Sequence, residues 1–246
     1  MVMKVDLNSD MGEGFGPWRM GDDAALLDVI TSANIACGFH AGDPDVMAET
    51  MRLAAKNGVG IGAHPGFADL KGFGRRRLNI GADELGNMIA YQLGAAEGVA
   101  RSVGANIRHF KLHGALANMC AEDATLAKTC YSAALRVNPE IILMVLAETA
   151  QQAVVQELGA NWAGEIFADR AYEDDATLVD RSKAGAVLHD ADMAAERILN
   201  MLREDAIIAE SGKRIPAKID TICLHGDTPE AVEMARALRT KLSAAG

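Results

Sequence analysis

A chain of 246 residues, 50% hydrophobic and 24% charged, has enough apolar material for a sizeable core and lacks the composition of a disordered segment. Its formal net charge of −10 excludes a general nucleic-acid binder, which needs a basic face to neutralise phosphates. A small anionic substrate stays compatible, because local charge can oppose net charge. No run approaches the ~18 apolar residues of a membrane span, and the N-terminal residues show no secretion signal, so a cytoplasmic protein without a membrane role is expected. Cys37, Cys120, Cys130 and Cys223 form no CxxC pair and read as reduced, buried thiols. Cys37, close to His40, is the one candidate for a reactive thiol.

Along the chain, short strand-like runs near 3–8, 33–38, 59–63, 108–112, 141–146, 164–168 and 219–224 alternate with helical runs. The helices are expected near 44–57, 83–103, 122–137, 148–158, 190–211 and 229–243. Asp43-Pro44 combines an N-cap with proline at the first helical position, and Thr228-Pro229 repeats that start. Leu85, Met88, Ile89, Leu93, Ala96, Val99 and Val103 keep a helical period up to Gly104. No composition shift or linker marks a boundary, so 1–246 reads as one domain. Such alternation implies parallel strands joined by right-handed crossovers.

The period of two within the strands separates their faces. Asp6, Asn8 and Asp10 point one way and Val5 and Leu7 the other. Asn34, Ala36, Gly38 and His40 share a face, as do Gly60, Gly62 and His64, and Lys111 and His113. Ile35, Ile61 and Phe110 fall on the opposite side. An open sheet covered by helices on both sides would be apolar on both. A TIM-like (β/α) barrel with a polar mouth, distorted or seven-stranded, is therefore expected over a doubly wound sheet.

His40, His64, His113 and His225 each follow a strand beside small turn residues, where barrel enzymes build their sites. Asp6, Asn8, Asp10 and Glu13 close the first strand with three carboxylates and an amide, suited to orienting imidazoles, acting as bases or holding a metal. No HxxxH or HExxH run specifies a metal site, so its metal is unknown from sequence. Gly72-Phe-Gly-Arg75-Arg76-Arg77 is the tight basic cluster, suited to carboxylate or phosphate capture. Lys111 could stabilise a developing oxyanion or pair with a barrel carboxylate. Glu165 and Asp169-Arg170 read as polar groups of the barrel mouth. A G-x-x-x-x-G-K-[ST] phosphate loop, a G-x-S-x-G elbow and a dinucleotide-binding start are absent.

These motifs together resemble the LamB/YcsF family, the A subunits of prokaryotic ATP-dependent 5-oxoprolinase. The resemblance is carried by Asp6-Leu-Asn-Ser-Asp-Met-Gly-Glu13, Asn34-Ile-Ala-Cys-Gly-Phe-His-Ala-Gly-Asp-Pro44 and Ala63-His-Pro-Gly66 with Gly72-Phe-Gly-Arg-Arg76. Lys111-Leu-His-Gly-Ala115, Phe167-Ala-Asp-Arg-Ala-Tyr172, Leu178-Val-Asp-Arg181 and Leu224-His-Gly-Asp227 extend it. Where the family usually reads Lys-Pro-His-Gly-Ala-Leu-Tyr-Asn, this chain has Leu112 and Ala117 at the proline and tyrosine positions.

The resemblance implies a barrel related to carbohydrate deacetylases. It also implies cleavage of 5-oxo-L-proline to L-glutamate with ATP as cosubstrate, in a complex with B and C subunits; a homo-oligomer is compatible with it. On this reading Asp10 or a neighbouring histidine is the base, and His40, His64 and His113 position water and intermediate. Lys111 with Arg75 and Arg76 would hold anionic oxygens, and Asp6, Asn8, Glu13, Asp169 and His225 would complete the substrate pocket. The alternatives are a metal-dependent deacetylase or amidohydrolase acting alone, and a non-catalytic binding subunit.

Overall fold

All seven expected strand segments pair in parallel. They are β1 (Asp6–Met11), β2 (Ser32–Ala36), β3 (Gly60–His64), β4 (Ile107–Lys111), β5 (Ile142–Leu146), β6 (Trp162–Phe167) and, last in the chain, β9 (Thr221–Leu224). The computed structural model describes residues 5–224 and 231–245. In it these strands close into a seven-stranded barrel in the order β1-β2-β3-β4-β5-β6-β9. Closure comes from β9, which pairs with β6 through Glu165↔Thr221 and with β1 through Asn8↔Cys223. His225 and the expected Thr228-Pro229 helix start lie outside the described residues.

The two strand faces have different fates. Leu7, Ile35, Phe110, Val145, Ile166 and Ile222 turn outward into one apolar cluster with helix residues such as Met51, Leu93, Ala134 and Leu238. Burying each large aliphatic side chain contributes about 1.5–3 kcal/mol. The inward face carries Asn8, Asp10, Asn34, His109, Lys111, Glu165 and Thr221, all buried. Buried polar groups persist only when they are paired, and here they pair with each other across strands. The Asn34 amide donates to Asn8 (2.7 Å) and Asp10 (2.8 Å) and accepts from His109 Nε2 (2.7 Å). Gly62 makes room for this ladder, since a Cβ there would lie 2.0 Å from His109 Nε2.

Helices follow the strands as their caps direct. α2 (Pro44–Lys56) begins at Asp43, whose carboxylate accepts from the amides of Asp45 and Val46. α3 (Ala82–Ser102) and α6 (Ala150–Glu157) match the expected runs closely. The helix expected over 122–137 is α5 (Ala124–Val137), and a further, unexpected helix, α4 (Gly114–Glu122), precedes it. Asp123 divides them: its backbone is extended and its side chain caps α5 through the amides of Thr125 and Leu126. The helix expected to reach 211 stops earlier, as α7 (Ala191–Glu204), because Asp205 takes a left-handed conformation (φ 47°). Beyond it β7 (Ala206–Ile208) pairs antiparallel with β8 (Arg214–Pro216). A short α1 (Asp23–Leu27) lies between β1 and β2, and α8 (Ala231–Ala245) is the last described element. Among the described residues no helix is long and apolar enough to cross a membrane.

Two outcomes follow from the polar interior. Gly62→Ala drives a methyl group into the His109 ring and should lower stability by about 3 kcal/mol, the upper range for overpacking, measured by urea unfolding. Burial pushes His109 down to about 3 from 6.5, so the folded protein keeps it neutral while the unfolded chain protonates it below pH 6.5. Stability from this group is therefore present above pH 6.5 and is lost as pH falls toward 3, at up to about 1.4 kcal/mol per pH unit. His109→Gln keeps a side-chain N–H donor without the titration, and its stability profile between pH 6 and 4 should be correspondingly flatter.

Candidate active site

The interior ladder ends at the C-terminal rim of the barrel, where the last residues of several strands meet. Lys111, at the end of β4, is 4% exposed and is the hub. Its Nζ lies 3.0 Å from Asp10 Oδ1 and 2.9 Å from Glu165 Oε1. It also donates to Asn8 Oδ1 (3.3 Å) and to Cys223 Sγ (2.9 Å). Burial works against a charge here, but Asp10 and the other anionic neighbours, Glu165 among them, outweigh it, and the ammonium is held well above the usual lysine range. Burial keeps Cys223 a thiol despite the ammonium beside it.

Beside this hub the imidazoles gather. His64, the last residue of β3, points Nδ1 at the Lys111 carbonyl (2.9 Å) and Nε2 at Asp10 Oδ2 (3.3 Å). His113, just after β4, points Nε2 at the Phe73 carbonyl (2.8 Å) and Nδ1 at His64 Nε2 (3.0 Å). His40 stacks on His113 with ring centroids 3.7 Å apart and planes 5° from parallel. Its Nε2 lies 3.6 Å from Glu13 Oε1, and neither of its nitrogens has a hydrogen-bond partner among the described residues. Burial, then the neighbouring imidazoles, pull His40 and His113 well below the usual histidine range, so both rings are neutral. Gly74, at φ 61°, lets the Gly72-Phe-Gly turn lie against these rings; a Cβ there would sit 2.7 Å from the His40 Cβ. One ligating atom each from Glu13, His40, His64 and His113 lie within 4.8 Å of one another.

Above the hub opens a pocket of about 380 Å³, lined by Asp10, Glu13, His64, Lys111, His113 and Glu165 among others. Four arginines also line it, Arg75, Arg77, Arg170 and Arg181, a local positive rim on an acidic protein. Arg75 lies over the Phe73 ring at 4.8 Å. Arg77 pairs with Glu122 through both guanidinium nitrogens. Arg170 is buried and donates to the carbonyls of Ala186 and Val179, and burial lowers it to about 10.

Five of the residues expected from sequence therefore line one cavity with Arg75: Asp10, Glu13, His64, Lys111 and His113. His40 backs His113 from behind. Others differ. Asp6 lies at the opposite, N-terminal end of β1 and accepts hydroxyl hydrogen bonds from Thr31, Ser32 and Thr221 at 2.6–2.7 Å. It ties three segments of the barrel together and does not line the pocket. Asn8 sits below the pocket, between Asn34, Lys111 and Thr221, so it positions the hub. Arg76 turns away to Asp69, and Arg77 lines the pocket instead. Asp169 is buried just beyond β6 and does not line the pocket. His225 lies outside the described residues.

Glu165 and Cys223 had weaker signals in the sequence, and both complete the shell of Lys111. They share the inward phase of β6 and β9 with Phe167 and Thr221. Cys37 is a buried thiol that burial pushes up to about 12, so it is not a reactive thiol.

Comparison with known proteins finds relatives over the full length of the chain. The chain is 65% identical over 245 residues to the 5-oxoprolinase A-subunit of Ruegeria pomeroyi, covering 100% of this chain and 97% of that one. It is 53% identical to the 5-oxoprolinase A-subunit of a Rhodopseudomonas palustris strain, covering 99% and 96%. Among solved structures, the lactam utilization protein of Thermus thermophilus superposes with a TM-score of 0.93 at 38% identity, over 99% of this chain and 98% of that one. A cellobiose-phosphate cleavage protein, so named provisionally, of Enterococcus faecalis has 12% identity and a TM-score of 0.55 over 98% of this chain and 92% of that one, and shares the fold alone. The model of the LamB/YcsF family matches residues 5–246, and the chain belongs to that family.

Proposed function

We propose that this chain is the A-subunit of an ATP-dependent 5-oxoprolinase that opens 5-oxo-L-proline to L-glutamate, working with B and C subunits in the cytoplasm. The observation that carries this reading is the buried Asp10–Lys111–Glu165 hub beside the His64 and His113 imidazoles, at the base of an arginine-rimmed pocket. The high identity to proteins named as the A-subunit of 5-oxoprolinase supports it independently.

The substrate is a five-membered lactam bearing a carboxylate. Its amide is resonance-stabilised and resists water, which is why coupling to ATP is chemically sensible: phosphorylation of the amide oxygen makes the ring carbon a better electrophile. The ATP step is assigned to the complex, since this chain carries no phosphate loop of the G-x-x-x-x-G-K-[ST] kind. The arginine rim suits the carboxylate of the substrate and any phosphoryl group on it.

Asp10 is the base on this reading. Lys111 and Asn34 hold its Oδ1, which leaves Oδ2 beside His64 Nε2 at 3.3 Å. Oδ2 takes a proton from water as its oxygen adds to the ring carbon. Lys111 places positive charge beside the oxygens of the tetrahedral adduct, one of which carries the phosphoryl group. When the ring C–N bond breaks, the proton held by Asp10 returns to the departing nitrogen, which becomes the amine of glutamate, and the acyl phosphate left on the new carboxyl is hydrolysed by a second water to the carboxylate and inorganic phosphate. Phe167 and Leu146 give the pocket an apolar wall that suits the ring methylenes. Leu112 and Ala117 line it as well, so the two departures from the family pattern fall where the substrate would be held.

Reconstitution tests the reading. This chain, combined with candidate B and C subunits and ATP, should release glutamate from 5-oxo-L-proline, and no release in any combination would overturn it. In that assay Asp10→Asn should lower kcat by about 10²–10⁴ in protein shown to be folded by circular dichroism, with a lowered thermal transition because the buried Lys111 loses one of its two carboxylates. Arg76→Ala should leave activity intact, because the Arg76 side chain is turned to Asp69 and away from the pocket. Ala117→Tyr should shrink the pocket and raise KM for ring-substituted lactams more than for 5-oxoproline itself, measured by competition between the two.

A further inference from the structure

The contact between His64 and His113 does not balance as two neutral rings. His64 Nδ1 faces the carbonyl of Lys111 at 2.9 Å, and His113 Nε2 faces the carbonyl of Phe73 at 2.8 Å. A carbonyl oxygen only accepts, so each ring must spend its one N–H there. That leaves a lone pair on His64 Nε2 and another on His113 Nδ1, facing each other across 3.0 Å. Asp10 Oδ2, also an acceptor, lies 3.3 Å from the same His64 nitrogen. Electron-rich atoms this close need a proton or a metal cation between them.

We propose that His64 Nε2, His113 Nδ1 and Glu13 Oε1 form a binding site for one divalent cation of the zinc class. Three observations support this beyond the lone pairs. The first is spacing. With metal–ligand bonds of about 2.0–2.1 Å, tetrahedral ligand atoms lie about 3.4 Å apart. Here His64 Nε2 and His113 Nδ1 are 3.0 Å apart, and His113 Nδ1 and Glu13 Oε1 are 3.8 Å apart. The second is orientation. The His64 and His113 rings are 88° apart, so their lone pairs can converge on a common point, and each ring is held from behind by a backbone carbonyl, the support that metal-binding imidazoles generally have. The third is His40, only 1% exposed, whose two nitrogens find no hydrogen-bond partner among the described residues although the ring lies against the site.

The donor set, two imidazoles and one carboxylate, suits zinc and its neighbours better than magnesium or calcium, which favour all-oxygen shells. His40 is not counted among the three ligands. Its ring lies parallel to His113 at 3.7 Å, so one cation cannot lie in both ring planes, and His40 reaches it only after turning. Asp10 Oδ2 lies 3.3 Å from His64 Nε2, so a water held at the site would be close to the proposed base. Only that last point rests on the 5-oxoprolinase reading; cation binding itself does not.

Zinc binding to the untagged, chelator-stripped full chain, measured by titration calorimetry and by elemental analysis after dialysis, tests the site without substrate or partners. One equivalent per chain is expected, with intense visible bands of a four-coordinate centre when cobalt(II) is used instead. His113→Phe, which preserves the stack on His40, and His64→Leu should each weaken binding at least 100-fold, with folding followed by circular dichroism. Should those variants fail to fold, Glu13→Gln keeps the shape of the side chain and should weaken zinc binding at least tenfold. Substoichiometric uptake by the wild-type chain, or full affinity in the folded variants, would overturn the proposal. Because no turnover is measured, failure here leaves the 5-oxoprolinase reading standing, and failure of reconstitution leaves this one standing.

Discussion

The structure depends on keeping a charged lysine inside a barrel. Removing an ammonium from water costs several kcal/mol, and only close, well-oriented partners offset it. Lys111 has them: two carboxylates within 3.0 Å, an amide oxygen and a thiol. They come from β1, β6 and β9, so the ion cluster and barrel closure are one feature. A wrong register between β9 and either neighbour would strand a buried charge, which penalises misfolded alternatives as well as stabilising the native one. We attribute the small residues of the neighbouring strands to the same constraint. Gly62 is bare because the neighbouring inward position on β4 is filled by the His109 ring.

The site inherits its order from this cluster. Asp10 is held through one oxygen by Lys111 and Asn34, which aims the other at the imidazoles. The Lys111 carbonyl, in turn, sets the tautomer of His64. One residue thus positions the proposed base through its side chain and the adjacent imidazole through its backbone. Across the pocket, the arginines supply the opposite electrostatics from the loops of the rim, where a ligand can still reach them. An acidic protein can in this way present a locally cationic mouth.

Much of this was legible before folding. The alternation of strand and helix and the one-sided polarity of the strands predict a barrel, because closure is what gives parallel strands an apolar outer face and a polar inner one. The strand-end positions of His64, Lys111 and His113 follow from the same count of two. A period of two assigns a face but not a height, however. Asp6 and Asp10 share a face of β1 and lie at opposite ends of the barrel, one tied to hydroxyls and one to the pocket. Consecutive arginines pose the same problem in a loop. Arg76 and Arg77 differ only in which way the turn sends them, and Asp69 and Glu122 settle that.

The sequence by itself determined the fold class, the family and the residues of β1, β3 and β4 that end near one rim, since local periodicity and short motifs carry that information. Only the tertiary structure decided which of them meet. Glu165 and Cys223 join Lys111 through strand pairings across the closed barrel, and both are far from it along the chain. The facing lone pairs of His64 and His113 depend on two backbone carbonyls, those of Lys111 and Phe73. Backbone carbonyls are present at every residue, so no pattern of side chains could have marked these two.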